Sequence, residues 1–277
     1  MGLRVNTNTQ SLVAQRNLSI QNSKQQASME KLSSGSRINR AADDAAGLAI
    51  SENMRGQIRS VKQGIRNAND AISLVQTAEG SMNEIANILV RFRELSIQSA
   101  SDTVSDRERT FIQKEVQELA LETDRIAQST QFNGMNLLNG EGNVLEFQVG
   151  INNNPDLDRY KFNMNETNVT ADKLGVANMS VATKADAQSN LQKVDDALLN
   201  LTESRSVLGA LQNRIESNVR NMQIYEENLT TSKSRISDVD IASETAEMTK
   251  RNILSSAGTS VLSQANQNSL LALKLLG

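Results

Sequence analysis

Apolar residues recur three then four apart through Ile58, Val61, Ile65, Ala68, Ile72, Val75, Met82 and Leu89. Where Glu79, Ala86 and Arg93 fall on this stripe, the neighbours Ala78, Ile85 and Phe92 carry it. The spacing is a heptad seam and predicts one helix from about Asp44 to Ala100, roughly 85 Å long at 1.5 Å per residue. Gly64 and Gly80 lie inside it and weaken it slightly. A second heptad run follows Leu191, Val194, Leu198, Leu201, Leu208, Ile215, Val219, Met222, Leu229 and Ile236, with Leu211 and Tyr225 filling the slots beside Gln212 and Glu226. Between the two runs, Ile112, Val116, Leu119, Thr123 and Ile126 predict a shorter helix, which a polar loop and a cap at Asp106 would start. Two long heptad helices with a shorter one beside them make a bundle.

Residues 131–190 change character. Asn and Gly cluster at Asn133-Gly134, Asn139-Gly140 and Gly150 to Asn154, and the single proline is Pro155. Val144 to Val149 and Tyr160 to Met164 alternate as the strands of a short hairpin. The fold class is therefore mainly α, with a small turn-rich β-hairpin segment. The termini differ again. Residues 1–32 carry sparse apolar positions amid Asn, Gln and Ser, which favours weak helix or disorder in isolation. Residues 253–276 are far more apolar. Each terminus is sticky on two sides, so burial against other copies is the better physical answer than pairing within one molecule. The residues expected at such subunit contacts are Leu3, Val5, Leu12, Leu18, Ile253, Leu254, Val261, Leu262, Leu271 and Leu275.

Composition narrows the chemistry. The chain has 277 residues without Cys, His or Trp, and only 3% of it is aromatic. Thiol and imidazole catalysis, disulfides and Cys or His metal sites are excluded. Asp43-Asp44 reads as a helix N-terminus rather than an acid/base dyad. No phosphate-binding glycine loop and no calcium loop occurs, and the sequons at Asn165, Asn168 and Asn228 are frequent by chance in so Asn- and Thr-rich a chain. No enzyme, catalytic residue, cofactor or metal is expected. The net charge of −3 is uneven: residues 1–40 hold Arg4, Arg16, Lys24, Lys31, Arg37 and Arg40 against Glu30 alone. That basic arm has no interleaved aromatics, which argues against nucleic acid and for a solvated face or an acidic neighbour. No apolar run is long enough for membrane insertion, and the N-terminus lacks a signal-peptide core, so export would take another route.

The stretch LSSGSRINRAADDAAGLAISENMRGQI at 32–58 closely resembles the N-terminal signature of bacterial flagellin, the subunit of the flagellar filament. The resemblance continues through VQTAEGSMNEI at 75–85, RFRELSIQSA at 91–100 and TQFNGMNLL at 130–138. At the other end it covers LGALQNRIES at 208–217, ENLTTSKSRISDVDIASE at 227–244 and the tail from Ile253. Ser36 departs from the family, which usually has Leu there.

The resemblance implies three parts: a terminal coiled-coil inner domain (1–43 and 236–277) for polymerisation and channel lining, a helical rod domain (44–130 and 190–235), and a small variable outer segment (131–189). It implies a self-assembling structural subunit, secreted through the flagellar type III apparatus into an extracellular filament used for swimming. The partners it implies are many copies of the same chain, an export chaperone, and the hook-junction and cap proteins. It also implies a Toll-like innate receptor reading a surface at Arg91, Leu95 and Glu115, although Val90 replaces the Gln usual in recognised flagellins. The alternative is a hook-filament junction protein or a minor flagellin.

Overall fold

The computed structural model describes residues 7–141 and 144–274, the last seven in backbone only. Among the described residues six α-helices dominate: α1 (Thr9–Ser34), α2 (Ala45–Ala100), α3 (Asp106–Ser129), α4 (Ala171–Leu174), α5 (Lys184–Ser237) and α6 (Ile241–Lys274). Two antiparallel hairpins lie between α3 and α4. The first pairs β1 (Gln131–Phe132) with β2 (Met135–Asn136), the second β3 (Leu145–Gln148) with β4 (Arg159–Phe162). The mainly α class with small hairpins is the one found, and each long heptad run is a single helix. The chain forms two compact units. One runs up to Ile58 and resumes at Glu227; the other is Arg59–Glu226.

The Arg59–Glu226 unit is built on the heptad seams. Val61, Ala68, Val75, Met82, Leu89 and Phe92 of α2 are buried with Val116 and Ala120 of α3 and Val194, Leu201, Leu208 and Ile215 of α5. The segment over 131–189, expected as a small outer part, has no core of its own: Leu137, Leu138, Val149, Val169, Val176 and Val181 are buried in the same cluster. Its first hairpin turns at Asn133-Gly134, both at positive φ, as a two-residue hairpin loop requires. The second docks on α2 at Gly64. A Cβ there would collide with the Val149 carbonyl and press on Met222 Sδ at 3.3 Å, so the missing side chain is what lets the hairpin approach. Asn67 Nδ2 donates to the Gln148 carbonyl at 2.9 Å one turn further on.

The α2–α3 connection corrects the expected cap. Ser105, not Asp106, starts α3: its hydroxyl accepts from the Glu108 amide at 3.4 Å while the Glu108 carboxylate accepts from the Ser105 amide at 2.8 Å. This reciprocal capping box leaves Asp106 in the first turn, bonded to Arg109. Arg109 is buried, and its guanidinium donates to the Ser99 and Ser101 carbonyls, both at 2.9 Å. It closes the carboxyl end of α2, where helix carbonyls lack intrahelical partners.

In the other unit, Asp44 Oδ1 accepts from the Gly47 amide at 2.8 Å and caps α2, the use expected of this acidic pair. Asp43 accepts from the Asn39 and Arg40 amides. Those bonds, that of Arg40 first, hold its carboxyl below the usual aspartate range. The segments leaving α1 and entering α6 are stitched together: Ser36 bridges Asp238, the Arg37 amide donates to the Ser237 carbonyl at 2.7 Å, and the Val239 amide to the Gly35 carbonyl at 3.0 Å.

The two helix-interior glycines of α2 give substitutions of opposite sign. Gly64→Ala forces the second hairpin off α2 and is expected to destabilise the fold by on the order of 1–3 kcal/mol. Gly80 has nothing within 4 Å of its Cβ position, so Gly80→Ala is expected to stabilise by about 1 kcal/mol through helix propensity alone. Thermal unfolding followed at 222 nm checks both; shifts of the same sign would contradict the packing described.

Candidate assembly interface

Helices α1 and α6 lie antiparallel, and what joins them is polar. Asn8 Nδ2 donates to the Ala265 carbonyl at 2.9 Å, Ser255 Oγ to Asn22 Oδ1 at 3.1 Å, and Gln25 Nε2 to Asn252 Oδ1 at 2.5 Å. Arg251 Nη1 reaches the Lys24 carbonyl at 2.5 Å and Ser28 Oγ at 2.9 Å. The side chains buried in the seam are small: Ser11, Ser28 and Ala265, with Leu18 lying over Gly258. The seam positions still step three and four apart through Asn8, Ser11, Ala14, Leu18, Gln21, Gln25 and Ser28, so α1 keeps a heptad most of whose occupants are polar. A search for apolar periodicity passes over it. The helix that looked weak in isolation is made by this pairing.

Many of the larger apolar residues point the other way. Leu12 is 58% exposed, Ile253 64% and Val261 56%, and Val13, Ile20, Met29, Ile241 and Leu254 are exposed as well. A groove of about 570 Å³ opens between the helices, lined by Val13, Ala14, Val261 and Ala265 among others. Of the residues expected at subunit contacts, Leu12, Ile253, Leu254 and Val261 lie on this exposed surface, and Leu18 and Leu262 are half-buried. Leu3, Val5 and Leu275 lie outside the described residues, as does the Leu271 side chain. Covering a Leu, Ile or Val contributes roughly 1.5–3 kcal/mol, so burial of this surface is favourable.

Arg91, Leu95 and Glu115 do not share one face. Arg91 Nη2 and Nε donate to Glu115 Oε1 at 2.7 and 2.9 Å, and Nη1 to Glu94 at 3.0 Å. These bonds, that to Glu115 first, raise the Arg91 pKa. Both partners are largely exposed. Leu95 is 1% exposed, packed in the core with Leu89 and Phe92. Four residues along a helix turn through about 40° beyond a full circle, enough to carry residue 95 from the solvent edge onto the seam. The surface expected of three residues is thus a charged pair over a buried leucine. Among the described residues no cluster of acidic side chains could hold a metal ion, and no helix is long and apolar enough to cross a membrane.

The bacterial flagellin N-terminal helical region matches residues 5–143, and the bacterial flagellin C-terminal helical region matches residues 191–276. Flagellin of Halalkalibacterium halodurans is 42% identical over 272 residues, covering 98% of this chain and 99% of that protein. The flagellar filament 30.7 kDa core protein of Treponema maltophilum is 42% identical over 287 residues, covering 98% and 99%. Among solved structures, Bacillus cereus flagellin aligns with a TM-score of 0.51 at 28% identity, over 57% of this chain and 88% of that one.

Acid is expected to loosen the α1–α6 seam. A hydrogen bond from Arg251 holds the Glu247 carboxyl below the ordinary glutamate range. Its contribution is therefore complete above that range and lost as the pH falls through the depressed value. Ellipticity at 222 nm recorded from neutral pH to below about 4 should fall more in the parent than in Glu247→Gln, whose side chain does not titrate. Identical acid limbs would remove Glu247 from the seam's balance.

Proposed function

The chain belongs to the bacterial flagellin family, and from that premise we propose how it does the family's work. It is a structural protein rather than an enzyme: a subunit that polymerises with copies of itself into the flagellar filament, outside the cell. The observation that carries the mechanism is the reversed polarity of the α1–α6 pair, polar between its helices and apolar on its outer faces. A neighbouring copy supplies the missing cover for Leu12, Leu18, Ile253, Leu254, Val261 and Leu262. The tail residues Leu3, Val5, Leu271 and Leu275 join the same contacts. Repeated contacts between unlike surfaces, related by a rotation that does not close, build an open helical tube. In this reading residues 1–43 and 236–277 form the inner coiled coil lining the channel, residues 44–130 and 190–235 the surrounding rod, and residues 131–189 the outward part.

Subunits travel unfolded through the type III apparatus with an export chaperone, and the growing filament meets hook-junction and cap proteins. Contact with a Toll-like receptor is read through the exposed Arg91–Glu115 pair, with Leu95 supporting it from the core.

Electron microscopy of the purified chain, with short filament seeds and a precipitating salt, tests the assembly: long tubes should grow from the seeds. Persistent monomers would overturn the reading. Deleting residues 241–277 should leave a folded, soluble chain that cannot elongate seeds. The double substitution Ile253→Ser, Val261→Ser should likewise block elongation while changing the stability of the single chain by under about 0.5 kcal/mol, because both side chains are exposed there.

A further inference from the structure

A polar seam of this kind has a weakness that an apolar one does not. Leucine knobs fit one set of holes, as Leu18 does over Gly258, whereas Asn8, Ser11, Asn22 and Gln25 are near equivalents along α1. Slide α6 by one turn, about 5.4 Å, and one amide or hydroxyl partner is exchanged for another. The small residues at Ser11 and Ala265 offer little steric resistance, whereas Leu18 seated over Gly258 opposes a slide. The Arg37–Ser237 and Val239–Gly35 backbone bonds set the register at one end of the pair, and a contact further along must hold it over the rest of the seam.

We propose that Arg251 is the positioning residue that holds the axial register of α1 against α6 beyond the stitched end. Its Nη1 contacts two successive turns of α1 at once, the Lys24 carbonyl at 2.5 Å and Ser28 Oγ at 2.9 Å. Ser28 is 1% exposed, so a slip strips a buried hydroxyl of its charged partner. The guanidinium is held from behind by Glu247 of its own helix, Nε to Oε1 at 3.2 Å, which restricts its rotamers and balances its charge. A slip one way carries Arg251 toward Lys31, a like charge. A slip the other way carries it toward Ile20 and Gln21, away from the hydroxyl. The other cross-seam pairs join neutral amides and hydroxyls and discriminate less.

The consequence for assembly rests on the filament reading above. Val13 of α1 and Val261 of α6 line one groove in the native register; a one-turn slip offsets them from what a neighbouring copy must cover.

Because the natural chain has no cysteine, engineered pairs report register without background. Asn22→Cys with Ser255→Cys reads the native register, and Asn22→Cys with Gly258→Cys reads a one-turn slip. Under mild oxidation of the full-length chain, Arg251→Met is expected to lower the ratio of native to slipped cross-link by about tenfold, Arg251→Lys by less, and Lys250→Ala not at all. Seeded elongation should slow in the same order. An unchanged ratio in Arg251→Met would overturn the proposal, even with elongation lost. Loss of both cross-links together would overturn it too, since Arg251 would then supply pairing strength rather than register. Failure of the parent chain to elongate seeds would sink the filament reading instead, and the cross-link ratio would still decide register.

Discussion

The hydrogen bonds between α1 and α6 are made by Asn, Gln, Ser and one Arg, with Leu18 packed over Gly258, while Leu12, Val13, Ile20, Ile253, Leu254 and Val261 stay exposed. In a soluble helix pair the apolar stripe normally turns inward, because burying it drives the pairing. Here hydrogen bonds hold the pair, and each contributes only about 1 kcal/mol net against the competition of water. The hydrophobic stabilisation that would make the pair robust is reserved for surfaces outside the chain. A subunit built this way is incomplete alone, and its completion is polymerisation.

The Arg59–Glu226 unit is organised on the opposite principle. Its heptad seams are apolar and closed, and the turn-rich segment between α3 and α5 contributes fully buried residues to the same core. Its stability needs nothing from a neighbour. Burial of this kind tolerates little change in shape, which is why a single methyl at Gly64 matters there and why one at Gly80, facing open space, does not. One chain thus carries a unit with a continuous apolar core and a unit whose larger apolar side chains are left exposed.

The Arg91, Leu95 and Glu115 set shows how finely helical geometry sorts neighbouring positions. Arg91 and Glu115 bond across α2 and α3 in solvent, while Leu95, one turn along, is sealed in the core. Spacing that suggests a common face is satisfied only to within the 40° by which four residues overshoot a turn.

Much of this was legible from residues alone. The long helices follow from heptads of Ile, Val and Leu; the hairpin of β3 and β4 follows from alternation bounded by Asn and Gly; the absence of His and Cys excludes most catalytic chemistry. These are local properties, set by side-chain period, turn conformation and composition, and they need no knowledge of what lies opposite. The cap of α3 was misplaced by one residue because Ser105 and Asp106 are both good caps, and only the reciprocal bond with Glu108 chooses between them. Arg109 gave no signal as a buried residue, since what buries it is a set of carbonyls at the end of another helix. The polar seam was equally hidden. A pattern of Asn, Gln and Ser is as compatible with solvent as with a partner helix, and the exposed leucines beside it are as compatible with a core. Which face meets its own chain and which is left for another copy depends on the pairing of residues more than 200 positions apart, and only the tertiary structure decides it.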